Sequence, residues 1–107
     1  MNITKADICK QLLKKNEEQG IEYSPVEIKS ILESFLDIIL NYLSEDQRIE
    51  LRGFGSFKVT ERKARIGRNP RTGETVPIEA YKEPVFKFSK DAKNTFQKAV
   101  ATKLKNT

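Results

Sequence analysis

Hydrophobic and polar residues follow a helical period through the first half of this chain and an alternating one through much of the second. Ile8, Cys9, Leu12 and Leu13 recur at helical spacing. Thr4-Lys5-Ala6-Asp7 precedes them as a capping-box-like start, in which the Thr4 hydroxyl takes an orphan amide and Asp7 sits in the first turn. The strict box has Glu or Gln where Asp7 stands. Ile3 and Ile8 occupy the two staple positions, and Gly20 marks a stop. The second start is stronger: Ser24-Pro25-Val26-Glu27 is a capping box with proline at the first helical position, and Tyr23 and Ile28 fit a second staple.

The second helix carries Ile28, Ile31, Leu32, Phe35, Leu36, Ile38, Ile39, Leu40, Tyr42 and Leu43. A helix apolar over so much of its circumference must be buried on several sides. Hydrophobic residues make up only 37% of the 107, a thin supply for a self-contained core. A second copy is the expected cover. The dimer core then comprises Ile28, Ile31, Leu32, Phe35, Leu36, Ile39 and Leu43, joined by Phe54, Phe57 and Phe86. The alternative is a monomer in which the C-terminal sheet covers the whole stripe.

From Arg48 to Arg52 polar and apolar residues alternate, as in a half-buried strand. Gly53-Phe54-Gly55 predicts a bend, after which Phe57 and Val59 share one face. Between Thr60 and Glu74 only Ala64 and Ile66 are apolar, and Asn69-Pro70-Arg71-Thr72-Gly73 supplies turn chemistry. Val76–Ala80 and Val85–Phe88 read as returning strand, interrupted by Pro77 and Pro84, which favour edges and bends. The pattern is a long hairpin whose base packs on a core and whose tip, within an arm over residues 58–75, has nothing to pack on. A two-stranded arm of this kind is marginally stable alone and is expected to be mobile until it meets a partner. Ser89 caps a third helix over residues 89–104, with Asp91 in its first turn and Ala92, Phe96, Ala99 and Val100 on its apolar side. Lys90, Lys93, Lys98, Lys103 and Lys105 make it basic, and residues 105–107 are expected to fray. The chain reads as a single α+β domain over residues 1–107, with a helical dimerisation base at 1–47 and a sheet at 48–88.

Charge divides the chain along the same line. The net charge is +5, but residues 1–50 carry −4 and residues 51–107 carry +9. Histidine is absent and Cys9 is the single cysteine, which removes His-based catalysis, most zinc sites and any intrachain disulfide. A lone thiol suits a reducing compartment, and its place on the apolar side of the first helix makes it a packing residue. No catalytic residue, metal, cofactor or small-molecule ligand is expected, and the carboxylates of the first half read as solvated helix faces. Gly53-x-Gly55 is a strand bend rather than a phosphate loop, because Lys58 stands where the third glycine is required. Glu33, Ser34, Asp37 and Asn41 break the longest apolar stretch, and Met1 to Lys5 lacks an apolar signal core, so a cytoplasmic protein away from membranes is expected.

The arm holds the informative chemistry. Residues 58–71 contain Lys58, Arg62, Lys63, Arg65, Arg68 and Arg71 against Glu61, a net charge of +5 in fourteen residues. Arginine presents a planar fork to phosphate and suits the focused negative potential of a narrow minor groove. A two-stranded ribbon can follow a groove. Pro70, at the tip, has the apolar ring of the wedges that unstack a base step. Plain solvation of a charged hairpin is the alternative. Two rivals share the same residues: a scaffold whose arm docks on an acidic protein, and an RNA binder. The absence of tryptophan and of an aromatic cluster on the arm argues against stacking on single strands.

Arg48-Ile49-Glu50-Leu51-Arg52-Gly53-Phe54-Gly55-Ser56-Phe57, followed by Gly67-Arg68-Asn69-Pro70-Arg71-Thr72-Gly73-Glu74, resembles the bacterial HU and integration host factor family of histone-like DNA-bending proteins. The resemblance covers roughly residues 2–98. It implies an intertwined dimer with a helical base, an antiparallel β-sheet saddle and two protruding β-ribbon arms that wrap the minor groove of double-stranded DNA in the bacterial nucleoid. It implies that Pro70 inserts between base pairs and that Arg62, Arg65, Arg68 and Asn69 are arm contacts, alongside Lys58, Lys63 and Arg71. Lys87 and Lys90 match basic positions where the family meets phosphate, Lys93 matches a further one, and Thr4 and Lys5 match the start of host-factor subunits. Glu50 and Arg52 lie on the saddle strand, either reading DNA indirectly or as an ordinary solvent-facing pair.

The sequence departs from the family pattern in four places. Phe88-Ser89 replaces a Pro-Gly before the third helix, and Thr60 and Ile66 replace basic residues, which implies a looser grip. The loop from Asn16 to Tyr23 is longer and more acidic than usual, and the tail beyond Lys98 runs past the usual HU end. The subtype remains open between a non-specific HU-like nucleoid protein, the favoured reading, and a site-specific host-factor subunit. Arg48 to Arg52 resembles the β subunit of host factor, whereas Thr4-Lys5-Ala6 and Val76-Pro77-Ile78 resemble its α subunit. A homodimer is expected, with a heterodimer of related subunits as the alternative.

Overall fold

The computed structural model describes residues 1–105 of the chain. Its elements run α1 (Lys5–Glu18), α2 (Pro25–Ser44), β1 (Ile49–Leu51), β2 (Gly55–Arg62), β3 (Arg65–Arg68), β4 (Thr75–Ile78), β5 (Tyr81–Phe88) and α3 (Lys90–Lys105). They fall into two compact units that divide within α2, the first ending at Asn41 and the second beginning at Tyr42.

The first unit is built on two capped helices. Thr4 caps α1: its hydroxyl oxygen accepts the Asp7 N–H at 3.3 Å, and the Asp7 carboxylate accepts the Thr4 N–H at 3.0 Å. Aspartate therefore closes the box in place of the longer glutamate. Helix α1 runs on to Glu18, so Asn16, Glu17 and Glu18, expected in the loop, belong to the helix. Asn16 stays helical while its side chain donates to the Leu12 carbonyl at 2.8 Å. Helix α2 starts as its sequence requires, with Ser24 Oγ accepting the Glu27 N–H at 3.1 Å and Glu27 Oε1 accepting the Ser24 N–H at 3.2 Å.

Along α2, Ile28, Ile39 and Leu43 are buried and Leu32 is half-buried. Ile31, Phe35 and Leu36 stay 42–53% exposed, and Ile38 and Leu40 more than half exposed. No large side chain among the described residues is completely enclosed. An apolar stripe this open in one protomer is what a second copy would cover.

In the second unit, β1, β2 and β5 form an antiparallel sheet in that order, and β3 and β4 form a separate two-stranded ribbon. Arg62 pairs with Tyr81 at the end of the first ladder and Arg65 with Ile78 at the start of the second. Two residues separate the ladders on each strand, so the register passes from sheet to ribbon without a slip. The hairpin read from the sequence is therefore one hairpin with a symmetric gap at residues 63–64 and 79–80.

The prolines take the edge positions expected of them but do not interrupt the returning strands. Pro84 lies inside β5 opposite Val59, and Pro77 inside β4 opposite Ile66. Both sit on edge strands, where proline is tolerated at positions whose N–H side faces outward. The returning strand also stops at Ile78 rather than Ala80. Phe57 and Phe86 are directly paired with ring centroids 4.6 Å apart, and Phe88 and Phe54 extend the cluster at 4.8 Å from Phe86 and 5.5 Å from Phe88 respectively. Phe57 and Phe86 are half-buried, whereas Phe54 is 49% exposed. Ser89 caps α3, its hydroxyl accepting the Ala92 N–H at 3.1 Å. The helix continues to Lys105; Asn106 and Thr107, on which most of the expected frayed tail falls, lie outside the described residues.

Candidate nucleic-acid interface

Strand alternation sorts the basic residues onto faces. In the three-stranded sheet, Glu50, Ser56 and Lys87 are in register, and Lys58, Thr60 and Arg62 follow on the same side of β2. The phenylalanines, with Ile49, Leu51 and Val59, take the other side. Lys58, Arg62 and Lys87 thus share the polar face of the sheet. Arg52 follows β1 in a turn closed by the Phe54 N–H donating to the Leu51 carbonyl at 2.9 Å. A shallow concavity of about 190 Å³ includes Arg52, Lys87, Ser89 and Glu50. It places the saddle cation Arg52 beside the start of α3, where Lys90 and Lys93 lie exposed.

On the ribbon, Arg65 shares a face with Gly67, Val76 and Ile78, while Arg68 shares the opposite face with Ile66, Thr75 and Pro77. The arm presents arginine on both sides. Gly67 is placed where a side chain would strike Ile78, since an added Cβ would lie 2.8 Å from its Cδ1. Ile66 is 76% exposed beside Pro77, an apolar surface within a basic arm.

The tip is an ordered turn. The Asn69 N–H donates to the Glu74 carbonyl at 2.8 Å, and the Gly73 N–H donates to the Asn69 carbonyl at 2.8 Å. The Asn69 side-chain oxygen accepts the Arg71 N–H at 2.9 Å, and the Thr72 hydroxyl accepts the Glu74 N–H at 3.3 Å. Asn69 therefore makes an Asx turn around Pro70, whose missing donor the turn does not need. Gly73 completes it at φ +75°, a left-handed conformation that favours glycine. Pro70 is left exposed at the apex.

Ion pairing distinguishes the arm's root from its tip. Arg62 Nε donates to Glu83 Oε2 at 2.7 Å, and this bond with its charge raises the Arg62 pKa above the ordinary guanidinium value. Lys82 donates to Asp46 Oδ2 at 2.5 Å, which likewise raises the Lys82 pKa. Among the described residues Lys58, Lys63, Arg65, Arg68 and Arg71 have no carboxylate partner. Thr4 and Lys5 are engaged within the first unit: Thr4 caps α1 and Lys5 donates to Glu33 at 3.1 Å. Glu83, Lys82 and Asp46 were not singled out by sequence patterning. Pairing Arg62 with Tyr81 by counting outward from the Asn69–Gly73 turn would have placed Glu83 diagonal to Arg62.

No group of three or more potential metal-binding side chains occurs among the described residues, and none of their helices is long and apolar enough to cross a membrane.

The sequence family described as bacterial DNA-binding protein matches residues 3–97. The DNA-binding protein HU of Buchnera aphidicola subsp. Baizongia pistaciae is 48% identical over 79 residues, covering 74% of this chain and 82% of that protein. A cocrystal structure of Anabaena HU with DNA superposes with a TM-score of 0.76 at 31% identity, over 92% of this chain and 98% of that one. A mutant HU from Thermotoga maritima has the same fold, with a TM-score of 0.58 at 23% identity over 88% of this chain and 99% of that one.

Proposed function

The chain belongs to the family of bacterial DNA-binding proteins, and on that premise we propose that it is a dimeric architectural protein of the HU type that binds duplex DNA with two β-arms and bends it. It is not an enzyme; its work is done by charge and shape. Arg65 and Arg68 on opposite faces of the ribbon, with Lys58, Lys63 and Arg71, neutralise phosphates on either side of a groove the ribbon enters. Arg62, Arg52, Lys87, Lys90 and Lys93 extend the contact onto the saddle and the start of α3. Asn69 holds the tip turn, and Pro70 enters a base step as the wedge. The observation that carries this reading is the tip: an uncharged proline exposed at the apex of an Asx turn, flanked by arginines without carboxylate partners among the described residues.

The HU-type reading, with a homodimer, is supported by the 48% identity to an HU protein. On that reading the protein works on the bacterial nucleoid, in the cytoplasm. A dimer making about six to ten phosphate contacts loses roughly 10³–10⁵ in affinity between 50 and 200 mM salt. Gel-shift titrations across that range test the reading, and a flat salt response rejects it. Equal affinity for random and A-tract-flanked duplexes supports the non-specific role; strong preference for one defined sequence replaces it with the site-specific one.

A further inference from the structure

A carboxylate already occupies the root of the arm. Arg62 is the last residue of β2, and Glu83 lies diagonally across the ladder on the same face, opposite Thr60. Their ion pair, at 2.7 Å, closes the sheet immediately before the two-residue gap that separates it from the ribbon. The two side chains line an open concavity of about 530 Å³ together with Lys63, Ala64, Arg65 and Tyr81. Three cations face one anion there, so the concavity keeps a net positive charge with Glu83 in it. Carboxylate and phosphate are the two oxyanions that a guanidinium fork accepts in the same geometry. Both partners are about half exposed, so the pair exchanges readily.

We propose that Glu83 is an in-chain competitor for DNA phosphate. In the free protein it holds Arg62 and straps the root of the arm; on the duplex, Arg62 transfers from the Glu83 carboxylate to a backbone phosphate seated in this concavity. The inference rests on the DNA-binding reading and adds to it a residue that sets affinity. Arg62 differs in this from Arg65, Arg68 and Arg71, which have no carboxylate to leave among the described residues. An exposed pair of this kind opposes binding by about 1.4- to 5-fold per arm, or roughly 2- to 30-fold for a dimer with two arms.

The test is a double-mutant cycle on a short random duplex at fixed salt, read by fluorescence anisotropy. Glu83→Gln is expected to tighten binding about 2- to 30-fold in the wild-type background and by clearly less in the Arg62→Gln background, where no pair exists to be broken. Glu74→Gln makes the same charge change on the arm without touching an ion pair, and so measures the effect of net charge alone. Equal tightening by Glu83→Gln in both backgrounds, or tightening no greater than that of Glu74→Gln, overturns the proposal. A wild-type protein that fails to bind the duplex overturns the DNA-binding reading instead.

Discussion

The ring of Phe86 lies over Gly55 so closely that a Cβ added to Gly55 would come within 2.6 Å of Phe86 Cζ and 2.5 Å of the Lys87 carbonyl oxygen. The ring could turn aside, but the carbonyl belongs to the β2–β5 ladder and cannot. Gly55→Ala is therefore expected to destabilise the fold by about 1–3 kcal/mol, the usual range for overpacking. Urea denaturation measures it, and an unchanged midpoint would show that the sheet can open at this point.

Pro70→Ala is expected to leave the melting temperature and most of the affinity unchanged while reducing the bend, because the arginines remain and the wedge is lost. Energy transfer between dyes at the two ends of a short duplex reads the bend directly. Equal transfer with both proteins removes Pro70 from the mechanism.

Asn69→Ala deletes the acceptor of the Arg71 N–H but leaves the backbone bonds of Asn69 with Gly73 and Glu74 in place. The tip should loosen locally and present Pro70 less sharply. Amide exchange at Arg71 is expected to accelerate, by about fivefold for a bond contributing roughly 1 kcal/mol, with Gly73 unaffected. Protection lost equally at both amides would mean that the side chain holds the whole turn.

Acid should weaken the start of α1. The Thr4 backbone N–H, and then its hydroxyl, hold the Asp7 carboxyl below its ordinary value of 3.8. A depressed folded-state pKa contributes stability above the unfolded value and loses it as pH falls through the folded one. The contribution is thus present at neutral pH and lost below about 3.8, and Asp7→Asn should lack that step. Helical circular dichroism followed from pH 5 to pH 2 makes the comparison; superimposable curves would exclude a role for the cap.

The open stripe on α2 predicts a stability that depends on association. Ile31, Phe35, Leu36, Ile38 and Leu40 remain 42–63% exposed in one protomer, so the melting temperature is expected to rise with protein concentration. A concentration-independent melt with a monomeric sedimentation mass contradicts the dimer.

The sequence by itself determined the local elements. Caps at Thr4, Ser24 and Ser89 depend on contacts within three residues, so composition at those positions was enough to start three helices. Period-two alternation fixed the faces of β1 and β2, and Asn69 to Gly73 fixed the turn between the arm strands. The first, acidic half and the second, basic half were equally plain. The tertiary structure alone decided which charges are spent. Arg62 and Arg65 look alike in the chain, yet the ladder brings Glu83 to one and no carboxylate to the other. It also decided that β4 and β5 run unbroken through Pro77 and Pro84, because on an edge strand an outward-facing position needs no N–H. Both outcomes depend on which residues meet across a hairpin about twenty residues apart in sequence, a distance that neither propensity nor periodicity encodes.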